Sequence, residues 1–220
     1  MDFLDLREKE NETVHIESNE SYEICKRVFD IFVSLVALLI LFVPSLIIMA
    51  IILIDSPGAS PIYSQDRVGK NGKIFRFYKF RSMNPDADKK LDSLLDANEM
   101  EGPAFKIKED PRITKFGKFL RKTGIDEIPQ FFNVLKGDMS VVGPRPPLPR
   151  EVELYTEEQL KRISVMPGIT CYWQVQPHRN DLTFDEWFEL DMKYIAERNL
   201  KIDMLIILKT FDAVCGMEGV

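Results

Sequence analysis

Cysteine is scarce in this sequence: Cys25, Cys171 and Cys215 are odd in number, widely spaced and without a Cys-x-x-Cys pair. That excludes a disulfide framework and a structural zinc site, and it reads as reduced thiols in a cytosolic compartment. Internal repeats and low-complexity stretches are lacking too, so 220 residues, 45% of them hydrophobic, are expected to form one catalytic or binding domain with a sizeable core. Excess positive charge is missing. The formal net charge is −6, and eight acids against Arg7 and Lys9 within residues 1–25 account for all of it. With the rest of the chain balanced, no nucleic-acid partner is expected. The acidic stretch has no apolar period and is expected to be a mobile tail over residues 1–22. It also lacks the positive and apolar regions that open a secretory signal.

What the sequence has in abundance is one uncharged apolar run. Residues 31–54, IFVSLVALLILFVPSLIIMAIILI, carry no charge over 24 positions, with Lys26, Arg27 and Asp30 before them and Asp55 after. As a straight helix the run is roughly 36 Å long, more than the ~30 Å hydrocarbon thickness, so it is assigned to a bilayer. Pro44 interrupts it, lacking an N–H and crowding the preceding turn. A bend there leaves arms of about 20 and 15 Å, each too short to cross ~30 Å alone. Ser34 and Ser45 are candidates to satisfy backbone groups freed at the bend. Lys26 and Arg27 on one flank are matched by Arg67, Lys70 and Lys73 on the other, so charge favours neither orientation and both a kinked span and a re-entrant hairpin stay open.

Beyond Asp55 the pattern changes to loop, strand, turn, strand. Gly69-Lys70-Asn71-Gly72 separates two β-prone runs; in the second, Phe75, Phe77, Lys79 and Arg81 share one face, and Ile74, Arg76, Tyr78 and Phe80 the other. Lys79 and Arg81 are candidate phosphate contacts, while Arg76 reads as a solvated edge residue. Pro85 to Met100 reads as a polar helix with a Leu91, Leu94, Leu95 stripe. Thr114 reads as the cap of a helix through Lys122, basic on one side and aromatic on the other, which suits an anionic membrane surface or a core-packed position equally. Helices are also expected near Glu151 to Ile163, from Trp187 through Asn199 and over the C-terminal IDMLIILKTFDAV, with a turn at Pro167-Gly168. The fold class is therefore α+β, mostly helical, with a short β-hairpin and amphipathic interfacial helices.

The densest chemistry lies in RKTGIDEIPQFFNVLKGDMSVVGPRPPLPR, from Arg121 to Arg150. Asp126 and Glu127 are expected in the first turn of a helix whose interior is Ile128 to Lys136 and whose stop is Gly137, with Ile128, Phe131, Phe132 and Leu135 facing the core. Acids in a first turn are favoured by the helix dipole, which suffices for an isolated pair. Arg121, just over one helical turn before Asp126, and Arg145, in a proline-fixed loop, allow a second reading. Two guanidiniums would then converge on the carboxylates or on a dianionic ligand between them.

Taken in order, KRVFD before the apolar run, KFRSM, the Asp-Glu pair, FFNVLKGDMSVVGPRP and PGIT-x-x-WQV resemble the bacterial sugar transferases called monotopic phosphoglycosyl transferases. The resemblance runs from about Tyr22 to the C-terminus and leaves out the acidic tail. It implies transfer of hexose-1-phosphate from a UDP-sugar to polyprenyl (undecaprenyl) phosphate with release of UMP, the first membrane step of exopolysaccharide, capsule or other surface glycan synthesis. It implies Asp126 as the nucleophile that attacks the β-phosphorus and carries the sugar as an acyl-phosphate, and Glu127 as the ligand of a Mg²⁺ cofactor. By the same resemblance Lys79 and Arg121 are phosphate-facing cations, and Arg145 with Pro144 and Pro146 forms a nucleotide-site loop. Pro44 would turn the helix back, giving a re-entrant hairpin over residues 23–55 and a catalytic domain over 56–220 on the cytoplasmic face of the cell membrane. The implied partners are the UDP-sugar, polyprenyl phosphate and membrane lipid, with self-association left open.

Two positions depart from the family pattern. Val43 precedes Pro44 and Ser45 follows it, where members often carry Ser before the proline. WQVQPHRND stands where Gly-Arg-Asn is common, so Pro177 and His178 replace a flexible glycine; Arg179 with its neighbours His178 and Asn180 is expected to bear on the sugar, His178 reading as an exposed loop residue rather than a catalyst. The large N-terminal membrane domain of longer members is not among these residues, and the compact catalytic form is expected. TCYWQV resembles the hexose-using group, with an N-acetylated amino sugar as the alternative donor. The rival outside enzymes is a membrane-tethered module that binds anionic lipid or scaffolds other glycan enzymes without chemistry.

Overall fold

A computed structural model describes residues 20–91, 93–94, 98–105, 107, 109–177 and 179–215, with side chains through Ala213. Residues 1–19 of the acidic tail, Leu95 and His178 lie outside the described residues; Glu20, Ser21 and Tyr22, expected in the mobile tail, instead open the first helix, because Tyr22 is buried and donates to Asp203. The apolar run forms two helices, α1 (Glu20–Ile40) and α2 (Phe42–Asp55), bent by 61° at Leu41. Pro44 accounts for the bend: with no N–H it cannot bond the Ile40 carbonyl, and its ring crowds that same group. The Leu41 N–H to Ala37 and Ser45 N–H to Leu41 carbonyl bonds, both 2.9 Å, carry the chain through.

Strands β1 (Ile62–Val68) and β2 (Ile74–Phe80) pair antiparallel from Ile62↔Phe80 to Val68↔Ile74, joined at the expected Gly-Lys-Asn-Gly turn. Helix α3 (Lys115–Thr123) starts at Thr114, whose Oγ1 accepts the Gly117 N–H at 2.9 Å. Gly117 is required by contact: a Cβ there would stand 1.9 Å from the Ser82 carbonyl oxygen, so α3 lies directly against the end of β2. Helix α4 (Gln130–Lys136) stops at Gly137 as expected. Then follow β3 (Ser140–Val142), α5 (Pro149–Val152), β4 (Gly168–Thr170), α6 (Phe184–Glu197), capped reciprocally by Thr183 and Glu186, and α7 (Leu200–Cys215). The expected mostly helical α+β class with a small hairpin holds.

Several expectations fail locally. The described part of Pro85 to Met100 is a chain of turns, because its leucines have no helix face to cover: Asp86 closes one turn by accepting from Lys89 and Lys90, and Leu91 faces a cleft. The helix expected over Glu151 to Ile163 breaks after Val152 and resumes as a 3₁₀ segment at Gln159. Thr156 and Gln159 exchange side-chain-to-backbone bonds there and restart the backbone. The expected turn at Pro167-Gly168 opens β4, which pairs in parallel with β3, Ser140↔Gly168 and Val142↔Thr170. Strands of three residues are too short to show alternation. Ser34 does not serve the bend; it is buried against the body and makes no hydrogen bond among the described residues.

Helix α1 is built inside out. Tyr22, Lys26, Asp30 and Ser34, four residues apart, are its buried face, while Ile24, Val28, Phe32, Leu35 and Leu39 are exposed. The polar face is fastened at three places. Lys26 Nζ and Tyr22 OH donate to Asp203 on α7 at 2.8 and 3.0 Å, and the Asp30 carboxylate accepts the Val141 N–H at 3.0 Å. Arg27 donates to the Val134 and Leu135 carbonyls at 2.6 and 3.0 Å, closing the C-terminal end of α4. The main core gathers Phe75, Phe77, Val134, Met139, Val142, Tyr194 and Ile206; a second cluster joins Ile52 of α2 to Phe80 and Leu120, with Ile125 and Ile128 packed on it.

Candidate active site

A cleft of about 460 Å³ opens between the β-hairpin, the α3–α4 connection, the Pro144–Leu148 loop and the start of α6. Asp126 and Glu127 lie along it, though not in the first turn of an α-helix. Gly124, at φ 67°, ends α3, and Pro129 opens α4; between them Ile125–Glu127 make a separate 3₁₀ turn. Ile125 and Ile128 turn into the second apolar cluster, which leaves the two acids between them to face the cleft. Helix α4 is rotated from the expected face as well: Gln130, Asn133 and Val134 are buried, whereas Phe132 is 52% exposed.

The cations expected around the pair are gathered here. Lys79, Arg81, Arg121, Arg145 and Arg179 all line the cleft. Arg145 Nη1 stands 4.0 Å from Glu127 Oε1, and Arg121 is steadied by donating Nε to Ser82 Oγ at 3.0 Å. Arg179 donates to the Gln174 carbonyl at 2.7 Å. Arg81 is partly engaged at the rim, donating to the Ser60 carbonyl at 2.8 Å beside the Tyr63 ring. Pro146 lines the cleft, but Pro144 is not among the lining; its carbonyl accepts the Gly168 N–H at 2.9 Å and ties the loop to β4. Pro44 lies on α2, apart from this group.

The charges in the cleft strain one another. Burial, then the like charge of Arg121, push the Lys79 ammonium down to about 7, with Asp126 pulling the other way. Burial also lowers Arg121 below the usual guanidinium range, opposed by Asp126 and Asp110. Glu127 is displaced upward by burial and by Asp126, while Arg145, Lys79 and Arg179 draw it back. Two like-charged sets therefore face each other across a partly dry cleft, an arrangement that a bound anion and a cation beside it would both relieve.

Residues that sequence reasoning missed complete the walls. Tyr63, Gln65 and Arg67 project from β1 on the face shared with their partners Lys79, Phe77 and Phe75. That alternation was readable once the hairpin was assigned. An aromatic wall of Tyr155, Trp173, Phe184 and Trp187, with Trp173 and Trp187 stacked at 4.4 Å, backs onto the buried Arg162–Asp191 pair at 2.7 Å. No local signal marks this wall, because its members meet only through the tertiary fold. Among the described residues no three His, Cys, Asp or Glu side chains group as a metal cage. Two adjacent carboxylates, one of them raised by burial, fit an ion that takes its remaining oxygens from a diphosphate and water, as Mg²⁺ does.

A cleft that gathers these five cations around an adjacent carboxylate pair, Asp126 buried and Glu127 half-buried, beside a bent apolar helix pair, has the make-up of an enzyme site. The chain belongs to the bacterial sugar transferase family, whose model matches residues 21–217. It is 50% identical to the galactosyl transferase CpsE of Streptococcus agalactiae over 88% of this chain and 43% of that protein. It is 41% identical to the undecaprenyl-phosphate galactose phosphotransferase of Salmonella typhimurium over 92% and 43%. With the exopolysaccharide production protein ExoY of Rhizobium meliloti the identity is 38% over 88% of this chain and 87% of that protein. The chain thus spans less than half the length of the first two relatives and most of the third.

Proposed function

We propose that the protein transfers a hexose-1-phosphate from a UDP-sugar to polyprenyl phosphate, releasing UMP, through a phospho-sugar intermediate on Asp126. The observation that carries this reading is the placement of Asp126, 6% exposed, on the 3₁₀ turn between Gly124 and Pro129, in the cleft that Lys79, Arg121 and Arg145 also line. An Asp126 oxygen attacks the β-phosphorus; the bond from that phosphorus to the bridging oxygen breaks, and UMP leaves with the electron pair. A phosphate oxygen of the lipid then attacks the same phosphorus, freeing the carboxylate and giving the polyprenyl-diphosphate-sugar. Lys79, Arg121 and Arg145 hold the diphosphate and offset the charge that gathers on the leaving phosphate. Glu127, with Asp126 beside it, would hold Mg²⁺; when bound, the ion neutralises diphosphate oxygens that would otherwise repel the nucleophile. Names given to relatives favour galactose or another hexose as the donor sugar.

The helix pair is read as a re-entrant membrane hairpin with the catalytic body on the cytoplasmic face. Support comes from the inverted pattern of α1 and from where the arms end. The start of α1 is bonded to α7, and Ile52 near the end of α2 is buried against Phe80 and Leu120, so both arms return to one body. Helix α2, 14 residues or about 21 Å, is too short to cross ~30 Å of hydrocarbon.

Mass spectrometry of the enzyme incubated with UDP-galactose and Mg²⁺, without lipid acceptor, tests the chemistry. A hexose-phosphate adduct on Asp126 is expected and should vanish in Asp126→Asn. UMP that appears only when acceptor is present, with no adduct trapped, would favour direct transfer. A screen of UMP release over several UDP-sugars separates hexose from N-acetylated donors, and its complete failure would leave a non-catalytic membrane module.

A further inference from the structure

A second, much smaller cavity of about 10 Å³ adjoins the cleft. Glu127, Arg145, Pro146 and Gln174 line both spaces, and Phe77, Gln130 and Gly168 belong to the small one alone. Two of its lining side chains hold a buried donor with no partner among the described residues. Arg67, 7% exposed, donates Nη1 to the Pro146 carbonyl at 2.9 Å and Nη2 to Gln65 Oε1 at 3.2 Å, but its Nε has no acceptor. Gln130, 2% exposed, has none for Nε2. A single orphaned donor is a local cost; two on the wall of one cavity call for a common acceptor inside it. The volume suits one water molecule and excludes a phosphate. Among the described residues Glu127 is the one carboxylate in the lining, and so the natural receiver of the hydrogen bond that such a water donates.

We infer that this cavity holds one ordered water, which accepts from Arg67 Nε and Gln130 Nε2 and donates to the Glu127 carboxylate. Arg67 and Gln130 are then positioning residues. The water fixes the direction of the Glu127 carboxylate from the core side, leaving its other lone pairs toward the cleft. Arg67 has a second hold on the site, because the Pro146 carbonyl it bonds follows Arg145 directly. The Val68 N–H bonds the Pro147 carbonyl at 2.9 Å and secures the same loop. One buried guanidinium thereby sets both the carboxylate and the arginine that stand 4.0 Å apart beside the cavity.

The water itself is tested by a crystal structure of the full chain in lipid or detergent, resolved finely enough to place ordered solvent. Density within roughly 2.7–3.2 Å of Arg67 Nε, Gln130 Nε2 and a Glu127 oxygen is expected. An empty cavity, or a Gln130 amide turned onto a protein acceptor, overturns the assignment. The positioning role rests on reading Glu127 as a metal ligand, and Mn²⁺ binding in the presence of UDP, followed by electron paramagnetic resonance, tests it. Gln130→Met keeps the length and removes the donor, so Mn²⁺ should bind about 10-fold more weakly while the thermal midpoint does not fall. Normal Mn²⁺ affinity in Gln130→Met, with affinity lost in Glu127→Gln, overturns the positioning role. Normal affinity in Glu127→Gln instead sinks the metal reading, and the density alone then decides the water.

Discussion

Lys79 gives the site a proton linkage that can be counted. Its ammonium, ordinarily near 10.5, is pushed down to about 7 by burial and by Arg121. At pH 8, therefore, about a tenth of the free protein carries this charge. A diphosphate beside it supplies the missing counter-charge and restores the ordinary value. Binding should then take up about 0.9 proton at pH 8 and about 0.1 at pH 6. Between pH 7 and 8.5 the affinity for a UDP-sugar should fall about 16-fold, or about 1.6 kcal/mol. For the free protein the sign is fixed by the lowered folded value: the unfolded chain binds more protons between about 7 and 10.5, so this group alone makes the fold more stable as pH rises through that window. The assay is titration calorimetry of a non-transferable UDP-sugar phosphonate at pH 8 in buffers of different ionisation heat, where the slope returns the proton number. Lys79→Arg stays charged throughout and should remove most of the uptake. A wild-type slope of zero, or an equal slope in Lys79→Arg, would refute the reasoning.

Three further outcomes are expected. Lys26→Met leaves Asp203, 1% exposed, without its cation and should cost about 3–5 kcal/mol, read as a lowered thermal midpoint; a loss under about 1 kcal/mol would mean that the hydroxyls of Tyr22 and Tyr194, which also donate to Asp203, suffice. Single cysteines at Glu20 and Glu158 should both resist an impermeant thiol reagent in intact cells and react after permeabilisation, whereas labelling of position 20 alone from outside would make the helix pair a kinked span. Arg145→Lys keeps the charge and loses the planar fork, so donor turnover should drop by an amount matching about 1.5–3 kcal/mol with folding intact, and normal kinetics would reduce Arg145 to a turn residue.

Much of this could be read from sequence where a local rule decides the structure. Thr114 caps, Gly137 stops, the Gly-Lys-Asn-Gly turn closes a hairpin and Pro44 bends a helix, because each acts on bonds within one turn of itself. The carboxylate pair and most of its cations were legible as residue types, but their seat was not. A glycine and a proline carve a separate turn out of what reads as one helix, and only Ile125 and Ile128, drawn into the cluster with Ile52, explain why the acids point outward. The segment after Pro85 carries helical composition and yet spends Leu91 on the cleft. Arg162 finds Asp191 across 29 positions, and Lys26 finds Asp203 across 177. Pairings of that range leave no trace in periodicity.

Because Lys26, Arg27 and Asp30 are committed to α7, α4 and β3, the hydrophobic helix pair is a wall of the enzyme and not a leash. A chain cut at Ser56 would remove Tyr22 together with Lys26, leaving Asp203 the Tyr194 hydroxyl at 2.8 Å, and would leave the Val134 and Leu135 carbonyls open. It would also empty the place of Ile52 beneath the turn that carries Asp126. With the pair read as a membrane hairpin, purification is expected to need lipid or detergent from first extraction to last column, and full recovery of folded, active protein without either would count against that reading. Re-engineering of the helix pair has most room near Leu41, where Leu39, Ile40, Phe42 and Val43 are exposed, and a transplant that keeps residues 22–34 and 48–52 keeps the described bonds to the body and the packing of Ile52.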